Sequence, residues 1–233
     1  GKDAGITWHH LVNMTSGYAR VEAPGLAWAY NDTGVQLLAL SLERVFGRSL
    51  EEAAHDYLKP LQFEDGEIFG SRKGLGVVLS PRDMARLGWF WLNEGRWSEG
   101  KLLSEKLFNK NVRPTVPAAL PISSEGGKDD LGVGTFGGGT SQTNNGPGIY
   151  GFSFWFNETL PSGKRVWPAA PRDTYQANGM WNMHTVTIFP RLKMVAVISE
   201  TDRRGRFKPG SESGHANRNL KLLLDSVLTG RPK

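Results

Sequence analysis

The sequence predicts an α+β fold, and three observations carry that prediction. Apolar residues at helical spacing dominate the first half, most clearly from Thr33 to Phe46. The last third divides into short runs of β-branched and aromatic residues separated by turn residues. His215 to Leu228 then reads as an amphipathic helix. Helices first, a small antiparallel sheet next and a closing helix make an α+β order.

Taken in order, a first helix is expected from about Thr7 to Met14, ended by "TSGY". In "YNDTG", Asp32 has the residue type of an N-cap for the Thr33–Phe46 helix, and Gly47 supplies its stop. Ser49 and Glu52 have capping-box spacing and open a helix that ends before Pro60. Ser80, Pro81 and Asp83 mark the start of another, and Ser104 that of a short one. Residues 115–148 are rich in Pro, Gly, Ser, Asn and Thr, with "FGGGTSQTNNGPG" the extreme, and read as a long loop of little intrinsic order. "IYGFSFWFNETL", "DTYQANG", "MHTVTIFP" and "LKMVAVISE" are the strands. Leu220, Leu223, Leu224, Val227 and Leu228 of the closing helix are expected to cover one sheet face. The chain thus divides into a helical region (1–114), a loop (115–148) and strands with a terminal helix (149–233), together one incomplete domain.

Composition narrows the function. The 233 residues carry a net charge of +5, and their only basic cluster is "TDRRGRFKPG", so no nucleic-acid partner is expected. The absence of cysteine excludes disulfides, zinc–thiolate sites and a thiol nucleophile. No apolar run approaches the roughly 20 residues of a membrane span, and "GKDAGITWHH" has no signal-peptide core. No metal site is expected. His9 and His10 are neighbours on a helix, so their side chains diverge, and His10 reads as a packed or capping residue. "FGGGTSQT" lacks the Lys-Ser/Thr pair of a phosphate loop, so no cofactor is expected.

Tyr30 and Asp32 are the remaining candidates for chemistry. A tyrosine acting as a base needs its pKa, about 10 in isolation, lowered by nearby cations. Taken alone, the stretch reads as a half-buried anchor beside a helix cap.

The order of several segments supports the other reading. "ITWHHLVNMTSGY", "YNDTGVQLLALSLERVFGRSLEEAAHDYLKPL", "GVVLSPRDMARLGWFWLNEGRWSEGKLLSEKLF" and "YQANGMWNMHTVTIFPRLKMVAVI" resemble, in sequence order, consecutive segments of the penicillin-recognising serine hydrolases. These are the class C β-lactamases, DD-peptidases and related esterases. The resemblance covers nearly all of the chain and is loosest between Thr115 and Gly148.

It implies that Tyr30 is the tyrosine that exchanges protons with a serine nucleophile and the leaving group. Asp32 stands where the family usually has Asn, and a carboxylate cannot donate the amide N–H that an Asn offers a substrate. Asn178 and Gly179 stand where the family has Lys-Thr-Gly or His-x-Gly. The backbone N–H of Met180 or Trp181 would belong to the oxyanion hole. The family nucleophile lies in a Ser-x-x-Lys motif upstream of the tyrosine turn. The literal match here, Ser98 to Lys101, falls in a Gly-bounded turn.

The chain is therefore expected to be the C-terminal part of a longer hydrolase of esters or amides, peptidoglycan-like substrates included. The alternative is a non-catalytic binding module on the same scaffold. The resemblance also implies a periplasmic or extracellular site of action. It further implies self-association through strands that upstream strands would otherwise cover. Trp28, Trp155 and Trp181 point either to an aromatic acyl pocket or to packing.

Overall fold

The computed structural model describes residues 1–66, 68–69, 77–98, 100–123, 146–179, 184–199 and 212–229. Helices α1 (Trp8–Val12), α2 (Asp32–Phe46) and α3 (Leu50–Leu58) come first, and α4 (Pro81–Leu92) and α5 (Glu105–Asn111) follow. Two ladders of two residues flank α4: β1 (Ile68–Phe69) with β2 (Val77–Val78), and β3 (Arg96–Trp97) with β4 (Gly100–Lys101). The main sheet is antiparallel in the order β5 (Tyr150–Gly151), β6 (Phe154–Phe156), β7 (Tyr175–Gly179), β8 (His184–Phe189), β9 (Met194–Ser199). Helix α6 (Glu212–Thr229) closes the chain. The α+β order is the one the sequence predicts. Among the described residues, the outer edge of β9 has no strand partner, and no helix is long and apolar enough to cross a membrane.

Local chemistry starts and stops these helices. Thr7 and His10 form a capping box in which the imidazole Nδ1 accepts the Thr7 N–H at 3.3 Å, so His10 is a capping residue. Ser49 with Glu52 and Ser80 with Pro81 behave as their spacing predicts. Gly47 ends α2 with φ 64°, a conformation that favours glycine. Two expectations need correction. Asp32 is not the cap of α2. It is the first helical residue, and Asn31 is the cap, accepting the Thr33 N–H at 3.0 Å. Ser104 holds the N-cap position of α5 without a side-chain hydrogen bond.

The register of the sheet sorts its residues into two faces. Phe156, Tyr175, Ile188 and Val195 form a row on one face, packed under Met84, Trp91 and Leu92 of α4. Gly88 makes that approach close, since a Cβ there would stand 2.5 Å from Val195 Cγ1 and 2.7 Å from Val186 Cγ1. On the other face a row runs from Tyr150 through Trp155, Gln176 and Thr187 to Ala196. One end of that face is covered by Leu220 and Leu224 of α6, packed with Trp167, Phe189 and Ala196. The expected apolar stripe of α6 is narrower than its sequence suggests. Leu223, Val227 and Leu228 are exposed.

The loop predicted for 115–148 is partly ordered where it is described. Val116 is buried, donates its N–H to Tyr150 O and accepts that of Gly148, and Ile122 bridges Trp28. The "FGGGTSQT" and "TDRRGRFKPG" stretches lie outside the described residues.

One buried polar group yields a stability prediction. Thr185 is fully buried, and its Oγ1 has no hydrogen-bond partner. An unmade buried hydrogen bond costs about 1–3 kcal/mol, whereas an apolar group of the same shape does not carry that penalty. Thr185→Val should therefore raise the calorimetric melting temperature. A lower melting temperature would show that the hydroxyl is engaged.

Candidate active site

Tyr30 lies in the extended residues that lead into α2, and its side chain is half-buried in a nest of aromatic rings. Its ring stacks on Trp155 (centroids 6.3 Å apart, planes at 17°) and meets Tyr150 edge-on at 6.4 Å and 80°. Trp155 stands edge-on to Tyr150 at 4.8 Å, and Trp28 stands edge-on to both. Trp28 is 1% exposed, so it belongs to the packing rather than to a wall open to substrate. The backbone behind Tyr30 is tied to Met14, whose carbonyl accepts the Ala29 N–H at 2.9 Å and whose sulfur accepts the Asn31 N–H at 3.5 Å. Asn31 is buried, and its amide also donates to Tyr18 O at 2.9 Å.

Backbone strain gathers around this nest. Met14 (φ 58°), Phe152 (φ 49°) and Ser153 (φ 65°) adopt the left-handed conformation without being glycine. Such residues persist where the surroundings over-determine them, which is common at functional sites. Phe152 and Ser153 form the two-residue turn between β5 and β6, where positive φ at both positions matches the twist of the strands. Their N–H groups are held by α1 and its C-cap: Phe152 N–H by Asn13 Oδ1 at 2.9 Å, Ser153 N–H by Val12 O at 2.9 Å.

The two tyrosines of the nest differ in what they can do. Tyr150 is 1% exposed, and burial, reinforced by Tyr30, raises its phenol above the ordinary tyrosine range. It stays neutral at working pH and cannot serve as a base. Tyr30 is the half-buried one.

The sheet register relates Tyr30 to the second set of candidates. Trp155 is directly opposite Gln176, so the ring on which Tyr30 stacks shares a face with Gln176. Asn178 is the next residue of β7 on that face. Diagonal neighbours of this kind stand about 7–8 Å apart. The ladder of β6 with β7 ends at Gln176, and β6 itself begins at Phe154, in register with Ala177, so Asn178 and Gly179 run past the end of β6. Within the described residues they pair only with β8. Asn178 Oδ1 and Gln176 Oε1 are buried without hydrogen-bond partners.

The structure thus brings Tyr30 and Asn178 to one face of the sheet and leaves Gly179 exposed at the strand end. Asp32 is at the first position of α2. Met180 and Trp181 lie outside the described residues. Ser98 is exposed in the β3–β4 turn with φ 46°, and the Lys101 ammonium is 3.4 Å from Glu105, so this Ser-x-x-Lys match is a surface turn. The sequence singled out Tyr30 and Asn178 but gave no sign of Tyr150 or Met14. It offered Trp155, with Trp28 and Trp181, as acyl pocket or packing, and not as a partner of Tyr30.

Solved structures share this fold. A protein assigned as a 6-aminohexanoate-dimer hydrolase from Bacillus anthracis superposes with a TM-score of 0.61 at 19% identity, over 91% of this chain and 47% of that one. A β-lactamase from Mycobacterium bovis gives 0.65 at 17% identity, over 96% of this chain and 73% of that one. A protein assigned as a β-lactamase from Bacteroides dorei gives 0.59 at 14% identity, over 95% and 73%. The chain therefore spans about half the length of the first and about three quarters of the other two. No curated protein matches it by sequence. Residues 1–208 match the Beta-lactamase family, and the chain belongs to that family, with the fold of the serine β-lactamase-like hydrolases.

Proposed function

We propose that this chain is the C-terminal portion of a hydrolase that cleaves an ester or amide through an acyl-enzyme. Its Tyr30 would move the proton, and its serine nucleophile would come from a Ser-x-x-Lys segment preceding Gly1. The observation that carries the reading is the placement of Tyr30 on Trp155, on the sheet face where β7 runs past its neighbour to Asn178. Family membership supplies the reaction class.

In this scheme the serine Oγ attacks the carbonyl carbon as its proton passes to the Tyr30 oxygen. The upstream lysine favours the ionised phenol by charge. A backbone N–H of Met180 or Trp181, the residues that follow Gly179 in sequence, would hold the oxyanion. Tyr30 then delivers the proton to the departing oxygen or nitrogen as that bond breaks. Water repeats the sequence on the acyl-enzyme and restores the serine. Asp32 and Asn178 would border the substrate, with neutral Asn178 in place of the cation that other members use against a carboxylate. The 6-aminohexanoate dimer named for one structural neighbour and the lactams named for the others are both amides, within the proposed class.

The test is intact-mass spectrometry after incubation with a fluorophosphonate or penicillin probe. The 233-residue chain should take up no label, and the longer chain bearing the upstream motif should take up one. A stoichiometric adduct on any serine here, Ser98 included, would contradict the assignment of the nucleophile. A longer chain that also stays unlabelled would favour the binding-module alternative, for which the lost cation at Asn178 is the specific motive.

A further inference from the structure

We propose that Trp155 positions Tyr30 for proton transfer, setting its ring plane and its separation from the end of β7. The inference rests on the proton-transfer reading of Tyr30. The Tyr30 ring is touched on its face by Trp155 and on its edge by Tyr150. Trp155 is itself fixed from two directions. Its backbone is locked in the middle of the sheet, opposite Tyr150 on one side and Gln176 on the other. Its indole is wedged edge-on against Tyr150 (4.8 Å, 75°) and Trp28 (6.3 Å, 76°).

Helix α2 begins directly after the tyrosine turn, and its cap Asn31 fixes the backbone there. Trp155 and Tyr150 are two sheet residues whose rings meet the Tyr30 ring. Of the two, Trp155 lies flat against the ring and pairs directly with β7, the strand that continues to Asn178. A phenol free to tilt would sample distances to the reacting serine that differ by about an ångström, enough to lower a rate on the order of 10²-fold. A flat aromatic surface under the ring removes that freedom without contacting the substrate.

The test uses the hydrolase that carries this chain together with its nucleophile, with active sites counted by covalent titration so that misfolded protein is excluded. Trp155→Leu should lower kcat per titrated site about 10- to 100-fold while KM changes less than about threefold. Trp155→Phe keeps a flat ring and should recover activity to within about threefold of wild type. The limb of the pH profile that Tyr30→Phe abolishes should move in the Leu variant and stay in place in the Phe variant.

In this chain alone, NMR of labelled tyrosine provides a second readout. With 5 tyrosines present, the signal lost in Tyr30→Phe identifies Tyr30. The Trp155 part of its ring-current shift should be lost in Trp155→Leu and largely kept in Trp155→Phe, the Tyr150 part persisting in both. Wild-type kcat and an unmoved pH limb in the Leu variant would overturn the proposal, as would equal losses in both variants or a loss confined to KM. If Tyr30→Phe itself retains full kcat, the reading of Tyr30 falls, which is a distinguishable outcome.

Discussion

Replacing Tyr30 by Phe in the full hydrolase should lower kcat by about 10²-fold or more, equivalent to about 2.7 kcal/mol of barrier, with KM nearly unchanged. The substitution removes one oxygen and keeps the ring, so the stack on Trp155 and the edge contact with Tyr150 persist. The turn and α2 are held by Asn31, Met14 and Gly47, so folding should be little affected. A proton-transfer group contributes in the transition state and not to ground-state binding, which is why the loss should fall on kcat. Steady-state kinetics with titrated active sites decides the matter. An unchanged kcat would leave Tyr30 as a packing residue. Tyr150→Phe makes the sharper comparison. That phenol is buried and kept neutral, so its removal should change stability more than catalysis.

Much of this fold is legible in the sequence because its helices announce their ends. Ser49 with Glu52, Ser80 with Pro81 and Gly47 are local signals, complete within a few residues, and each does what its spacing implies. The cap of α2 shows where local reading stops. Asn31 and Asp32 are both good caps, so the choice between them is not a local matter. It is decided by Tyr18, 13 residues away, whose carbonyl requires a donor. An Asn can accept from Thr33 and donate to Tyr18 at once, and a carboxylate cannot. The two-residue ladders β1–β2 and β3–β4 are too short to show any period. Helix α6 has an apolar pattern wider than its buried stripe, because among its described side chains Leu220 and Leu224 are the ones packed on the sheet.

The candidate site was legible in part for a related reason. Tyr30 and Asn178 sit in stretches whose order resembles a family, so resemblance found them. Trp155 lies in "FWF", where three consecutive aromatics hide the alternation of a strand. Phe154 and Phe156 turn toward α4, and Trp155 turns toward Tyr30. The members of the nest come from the residue after the C-cap of α1, the tyrosine turn and the β5–β6 hairpin, so no window of sequence contains them.

Gly146→Ala should be a damaging small substitution near the site, destabilising the chain by about 1–3 kcal/mol, as overpacking of a tight core does. A Cβ at this position would stand 2.1 Å from both Cε2 and Cζ2 of Trp28. The indole has little room to retreat. It is 1% exposed, edge-on to Tyr150 and Trp155, and its backbone is held by Pro121 O at 2.8 Å and the Ser123 N–H at 2.9 Å. Gly146 is restrained too, since its carbonyl accepts the Ile149 N–H at 3.1 Å. For a chain of this length each kcal/mol lowers the melting temperature by about 2–4 °C. Gly100→Ala is the matched control, because nothing lies within 4 Å of a Cβ there, and it should melt close to wild type. The damage at Gly146 should also reach the chemistry. Trp28 is edge-on to Trp155, the ring on which Tyr30 rests, and to Tyr150, so the full hydrolase carrying Gly146→Ala should lose kcat even at temperatures where it remains folded. Calorimetry of the two alanine variants, with kinetics well below the melting temperature, checks both parts. Equal melting temperatures for Gly146→Ala and Gly100→Ala would mean that the backbone at 146 does not press on Trp28, and the nest would be looser than the contacts around Tyr30 require.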